Sequence, residues 1–126
     1  MSGYSFDANI VIDALMDHPP ALEEIRRASS IGGQIWVNRM AWVEVLSKGT
    51  DVMVRDALRF LGQFGLDEID DETARRAAAL RRQRPRLKSP DAIIFASVQV
   101  RGRVLVTRNI RDCRAEMPGI RVRYTL

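Results

Sequence analysis

Four acids stand where a carboxylate is either expensive to keep or well placed for a ligand. Asp7 closes the short apolar run "YSFD", Asp91 follows Ser89 and Pro90 and precedes "AIIFA", and Asp112 lies in "TRNIRDC" after "VLVT". Glu44 sits inside "MAWVEVL", with Met40, Val43, Val45 and Leu46 around it. A glutamate in such a stretch is costly unless it is paired or binds a metal. Each acid has an ordinary explanation too. Asp7 can cap or form an Asx-turn, Asp91 can complement a helix dipole, Glu44 can pair with an arginine, and Asp112 can be a surface acid. Their joint fall at one sheet edge is what a ligand site requires. Oxygen donors gathered without thiols or imidazoles select hard cations, Mg²⁺ or Mn²⁺.

Other chemistries are narrowed by scarcity. A single cysteine, Cys113, allows no internal disulfide and no thiolate metal site. The single histidine, His18 in "MDHPPAL", reads as a solvated loop residue, so general-base schemes built on histidine have little to use.

The elements that must position the acids follow from local patterns. "YSFD" (4 to 7), "QIWVN" (34 to 38), "RVLVT" (103 to 107) and the alternating "IRVRYTL" (120 to 126) read as strands, the last at an edge, and "LDEI" as a brief strand or connector. Between them lie helical patterns. Asn9 caps "IVIDALMD"; Pro20 opens "PALEEIRRASS"; "RMAWVEVLSKG" closes at Gly49; Asp51 caps "VMVRDALRFLGQFG"; Asp70 or Asp71 caps "ETARRAAALRRQR"; Ser89 caps a helix whose first residue is Pro90. Strands alternating with helices predict an α/β, three-layer α/β/α architecture with a mostly parallel central sheet of four to five strands. In such a sheet, ligands bind at the carboxyl ends of the strands, where Asp7 and Asp112 fall and toward which the Asp91 helix opens.

The 126 residues suit one domain, 1–126, and no repeat or linker divides them. No stretch approaches a membrane span, and "MSGYSFDANIVIDAL" lacks the basic start of a signal peptide, so a cytoplasmic home is the expectation. The formal charge is +4, and 18 of the 20 basic residues are Arg, the others being Lys48 and Lys88. A basic surface favours anionic partners such as nucleic acid.

Three segments carry a resemblance. "FDANIVIDAL" resembles the "DTNVLIDxL" opening of PIN-domain proteins, in particular VapC-type toxins of toxin–antitoxin pairs; "NRMAWVEVLSKG" resembles their glutamate-bearing second motif; and "SPDAIIFASVQVRGRVLVTRNIRDC" resembles "DAxIAAxAxxxGxxLVTRNxxDF". Order and spacing match over nearly the whole chain, and the last motif is long enough to be specific. Ala8 replaces the usual Thr or Ser, and Cys113 replaces the usual Phe as a small packing residue. Asn109 stands where some relatives carry an acid, so either Asn109 or Asp112 completes the site; Asp112 is the expected one, with Asn109 assisting.

The resemblance implies a metal-dependent endoribonuclease toxin with Mg²⁺ or Mn²⁺ as cofactor, RNA as substrate, a cognate antitoxin as partner and a homodimeric assembly. On that basis Asp7, Glu44 and Asp91 are expected as direct or water-mediated metal ligands. Asp112 would hold a second ion or orient the attacking water. Asn9 and Thr107 position Asp7, and Arg39, Arg108 and Arg111 are candidates for phosphate contacts. The competing reading is a catalytically inactive PIN fold that binds RNA or protein; loss of one or more acids would be its mark, and all four are present. An aspartyl phosphatase needs "DxD" where this chain has "DAN". A receiver domain needs paired acids after its first strand and a late lysine, whereas the last lysine here is Lys88.

Overall fold

The computed structural model describes residues 3–30 and 34–108, and the backbone of 120–122. The chain runs β1 (Tyr4–Phe6), α1 (Ala8–Leu15), α2 (Pro19–Ser30), β2 (Ile35–Asn38), α3 (Arg39–Leu46), α4 (Asp51–Leu61), β3 (Gly65–Asp67), α5 (Asp71–Gln83), α6 (Ser89–Arg101), β4 (Val104–Thr107) and β5 (Ile120–Val122). The five strands form one sheet in the order β3-β2-β1-β4-β5, parallel throughout. The last strand is at an edge, as its sequence predicts.

Side chains alternate across a strand, so each strand feeds both faces. Tyr4, Phe6, Ile35, Val37 and Val106 pack with α1 to α4 on one side. Leu105 packs with Ala77, Leu80, Ile94, Phe95 and Val98 of α5 and α6 on the other. The central strands are buried on both faces, which is why they read as continuous apolar runs. Phe64 anchors the first core through edge-on contacts, 5.2 Å from Phe60 and 6.4 Å from Phe6 between ring centroids.

Several boundaries differ from the sequence-based expectation. Asp7, not Asn9, is the N-cap of α1, because the turn out of β1 is a single residue long. Thr50 rather than Asp51 caps α4, its Oγ1 accepting from Met53 N–H at 3.3 Å. That helix stops at Leu61: "GQFG" tightens into turns, with Gln63 N–H bonded to the Phe60 carbonyl. Lys88 occupies the N-cap of α6 without a side-chain bond, and Ser89 and Pro90 are its first two residues. Proline has no N–H to satisfy, so it fits the second position as readily as the first. Helix α3 ends at Leu46, and Gly49 lies in the following turn at φ +101°. Of the two candidates Asp70 and Asp71, Asp70 caps α5. His18 is half-buried, and its carbonyl accepts from Ala21 and Leu22 N–H at the start of α2.

Glycine matters at two turns into or beside the sheet. Gly102 ends α6 in the left-handed region at φ +66°, releasing the chain into β4. A Cβ on Gly65 would collide with the Trp36 ring, so β3 approaches β2 only because that side chain is missing. Among the described residues no helix is long and apolar enough to cross a membrane.

Candidate active site

The chain passes from β1 into α1 through Asp7, whose extended backbone (φ −68°, ψ 157°) makes it a cap. Its Oδ1 accepts from Ala8 N–H at 2.8 Å. Its Oδ2 accepts from the Thr107 hydroxyl at 2.8 Å and from Asn9 Nδ2 at 3.4 Å. Asn9 Nδ2 also donates to Thr107 Oγ1 at 3.2 Å, and Asn9 Oδ1 accepts from Arg108 N–H at 3.3 Å. The end of β4 therefore clamps the start of α1, and the expected supporting roles of Asn9 and Thr107 have a geometry.

Glu44 on α3 and Asp91 in the first turn of α6 are half-buried. With Asp7, Asn9, Lys48 and Arg108 they line one cavity of about 520 Å³. Three elements far apart in sequence thus present three carboxylates to one space. The electrostatics record it. Burial pushes the Asp7 carboxyl above the ordinary aspartate range, against the Thr107 hydroxyl, the Ala8 N–H and the Arg108 charge, which pull it down. Burial also raises Glu44, and repulsion from Asp7 and then Asp91 adds to it.

Among the described residues no three His, Cys, Asp or Glu side chains come close enough to enclose an ion by themselves. The donor chemistry fits an ion that keeps part of its water: Mg²⁺ takes one or two carboxylates and fills its remaining positions with water and phosphate oxygens. Three oxygen-donor acids facing one cavity, one of them destabilised by the other two, match that requirement.

The basic residues divide. Arg108 lines the cavity, its Nε bonded to Asp13 Oδ2 at 2.7 Å. Arg39 does not line it. Its Nε donates to Glu68 Oε1 at 2.9 Å, its guanidinium stacks 4.6 Å from the Trp42 ring centroid, and Glu68 holds its pKa above the usual arginine value. Asn109, Arg111, Asp112 and Cys113 lie outside the described residues.

Sequence reasoning missed Asp13 and Lys48. Asp13 is four residues after Asn9, so the two share a helix face, and both hold Arg108. Lys48 is four residues after Glu44 and lines the same cavity. In both cases the i,i+4 spacing was the available signal.

A family model described as PIN domain matches residues 4–116, and the chain belongs to the PIN-domain family. Among solved structures it is similar to a toxin–antitoxin complex from Klebsiella pneumoniae, at 30% identity and a TM-score of 0.87, covering 98% of this chain and 100% of that one. It also shares its fold with VapBC2 from Rickettsia felis bound to a promoter DNA fragment (18% identity, TM-score 0.76, 93% and 94% covered). A third match is DNA-bound VapBC from Salmonella typhimurium (21% identity, TM-score 0.75, 96% of each chain covered). No curated protein matches the chain. The family and the fold are those the sequence motifs imply.

Proposed function

We propose that this chain is a VapC-type toxin, an endoribonuclease that hydrolyses RNA phosphodiester bonds with Mg²⁺ or Mn²⁺ and acts in the cytoplasm. The observation that carries the reading is the convergence of Asp7, Glu44 and Asp91 on one cavity, where burial and then repulsion from the other two acids raise the Glu44 carboxyl. A site built to stay empty gains nothing from that repulsion, whereas a divalent cation removes it.

Asp7, Glu44 and Asp91 would hold the ion directly or through water, and Asp112 would complete the set. The ion supplies Lewis acidity, acidifying water and offsetting charge on the phosphate. Asp7 offers one oxygen in a fixed direction, since Thr107, Asn9 and Ala8 fix its rotamer. Arg108, tethered to Asp13, stands at the cavity wall where a phosphate oxygen would arrive. Hydrolysis would leave a 5′-phosphate and a 3′-hydroxyl.

An antitoxin fits the neighbouring surface. An apolar groove of about 200 Å³, lined by Ile12, Leu15, Met16, Val45, Met53 and Ala57, adjoins the acid cavity through Ile12 and Lys48. Met16 is 70% exposed and Met53 53%. An apolar helix of the partner would lie there, and a following Arg or Lys would enter the acid cluster. Exposed Val43, Val52 and Leu58 on α3 and α4 supply apolar surface for a homodimer.

The test is cleavage of total RNA by the purified chain with Mg²⁺, with excess chelator, and in the variant Asp91→Asn. Cleavage lost with either the metal or the carboxylate supports the reading. Equal cleavage in all three, or none in any, defeats it.

A further inference from the structure

The chain's longest run of cations without an intervening acid lies in one place. Between Thr73 and Pro90 there are seven cations, Arg75, Arg76, Arg81, Arg82, Arg84, Arg86 and Lys88, and no acid. Removing those seven from the 20 cations leaves 13 against 16 acids, so the rest of the chain carries a formal charge of −3. The ridge on α5 and the α5–α6 loop is where a polyanion would meet the longest run of cations unopposed by acids close in sequence.

The ridge is rigidly built. Leu87 is buried in the α5–α6 core, its N–H bonds the Arg84 carbonyl at 2.9 Å, and its own carbonyl accepts from Arg81 Nε at 2.9 Å. The loop encloses a concavity of about 360 Å³ formed by Arg84, Pro85, Arg86 and Leu87. Arg82, Arg86 and Lys88 are exposed. The ion pairs among the described residues use none of these three. Lys88 is the N-cap of α6 and Asp91 is that helix's third residue, about 4.5 Å further along the axis. The ridge therefore runs to the mouth of the acid cavity.

We propose that this ridge is the substrate track: the phosphates of single-stranded RNA lie along Arg82, Arg86 and Lys88, and the loop delivers the strand to Asp91. This rests on the ribonuclease reading and adds where the RNA is held. Fixed cations of this kind contribute by counterion release. With a slope of roughly −0.7 per phosphate on single strands, each contact is worth about fivefold at ~0.1 M salt.

The test is fluorescence anisotropy of a labelled, unstructured single-stranded RNA with the metal chelated, over a salt series. Arg82→Gln with Arg86→Gln should weaken binding about 25-fold at ~0.1 M salt and flatten the log–log salt slope by about 1.4. The same charge change on exposed positions of α4, Arg55→Gln with Arg59→Gln, should leave both near wild type. Arg82→Lys with Arg86→Lys should restore most of the affinity, because an ammonium still neutralises a phosphate. Equal losses in the two Gln pairs would reduce the effect to net charge and overturn the track. A wild type that cleaves RNA while the ridge variant binds it unchanged overturns the track alone; a wild type that neither binds nor cleaves RNA overturns the ribonuclease reading with it. If the ridge variant keeps RNA but loses a bound antitoxin, the surface faces protein instead.

Discussion

Two buried aspartates follow opposite policies. Asp67, at the end of β3, is 4% exposed and Asp7, just past β1, is 8% exposed. Asp67 is gripped by cations: Arg103 donates through Nε at 2.6 Å and through Nη2 at 2.9 Å, and Arg101 Nε stands 3.4 Å away. Arg103 lies 3.8 Å over the Trp36 ring centroid, and Arg101 extends the network to Asp70, Thr73 and Ser97. Asp7 is held by a hydroxyl, an amide and a backbone N–H, the cation beside it is engaged with Asp13, and the cavity it faces holds two further acids. Burial is compensated by cations inside the fold at Asp67 and by neutral donors at Asp7. The first arrangement joins elements; the second leaves an electrostatic demand that, on the proposed reading, a divalent ion would meet.

The largest expected contrast is in catalysis. Asp91→Asn removes a carboxylate and little volume, and should lower RNA cleavage by about 100-fold or more, since metal-site charge stabilisation is worth several kcal/mol. Its metal-free melting temperature should hold or rise. Full activity in Asp91→Asn would falsify the ligand assignment. At the other centre the signs reverse. Asp67→Ala removes the carboxylate that Arg103, 10% exposed in its side chain, grips through two bonds and that Arg101 approaches, and should cost about 3 kcal/mol, or roughly 10 °C in melting temperature, while residual folded protein still cleaves. A thermally neutral Asp67→Ala would erase the contrast.

Binding of the ion comes next in size. Mg²⁺ or Mn²⁺ at about 100 times its dissociation constant should stabilise the fold by about 2.7 kcal/mol, and Asp7→Asn should shrink that gain. Identical melts with and without millimolar Mn²⁺ count against a shared site. The smallest effect belongs to Glu44→Gln, a gain in stability for the variant in metal-free protein at neutral pH. The sign follows from linkage. The folded Glu44 holds its proton more tightly than the unfolded one, so the wild type loses stability as pH rises above the ordinary value of 4.5. The advantage of Gln should therefore close as pH falls below that value, and a pH-independent gap in chemical denaturation would remove the burial and repulsion of a charged Glu44 as its cause.

The architecture was legible because its signals are long. Apolar strands and amphipathic helices each run over several residues, and the three motifs carry the family. Single-residue choices were not. Whether Asp7 or Asn9 caps α1, or Thr50 or Asp51 caps α4, depends on where one dihedral leaves the extended region, and both candidates are capable caps. In the site, Asp7, Glu44 and Asp91 were readable as acids in costly positions, and the cavity they share follows from the parallel topology. Arg39 shows the limit: its place at the start of α3 was correct, but its commitment to Glu68, 29 residues later, is a tertiary contact that no local spacing encodes. The Asp67 centre escaped notice for the same reason, its partner Arg103 being 36 residues distant.

The bond from Thr107 to Asp7 spans 100 positions of sequence, and β1 pairs with β4 along its whole length. On the ribosome this becomes a matter of timing. At about 5–20 residues per second, roughly 5–20 s separate the synthesis of the first acid from that of the hydroxyl that orients it. For that interval the N-terminal half holds a central strand with one neighbour and an acid with no fixed direction. On the ribonuclease reading, the nascent chain would lack its assembled site until its last strands emerge, so translation speed sets a window in which a partner already present can meet the product.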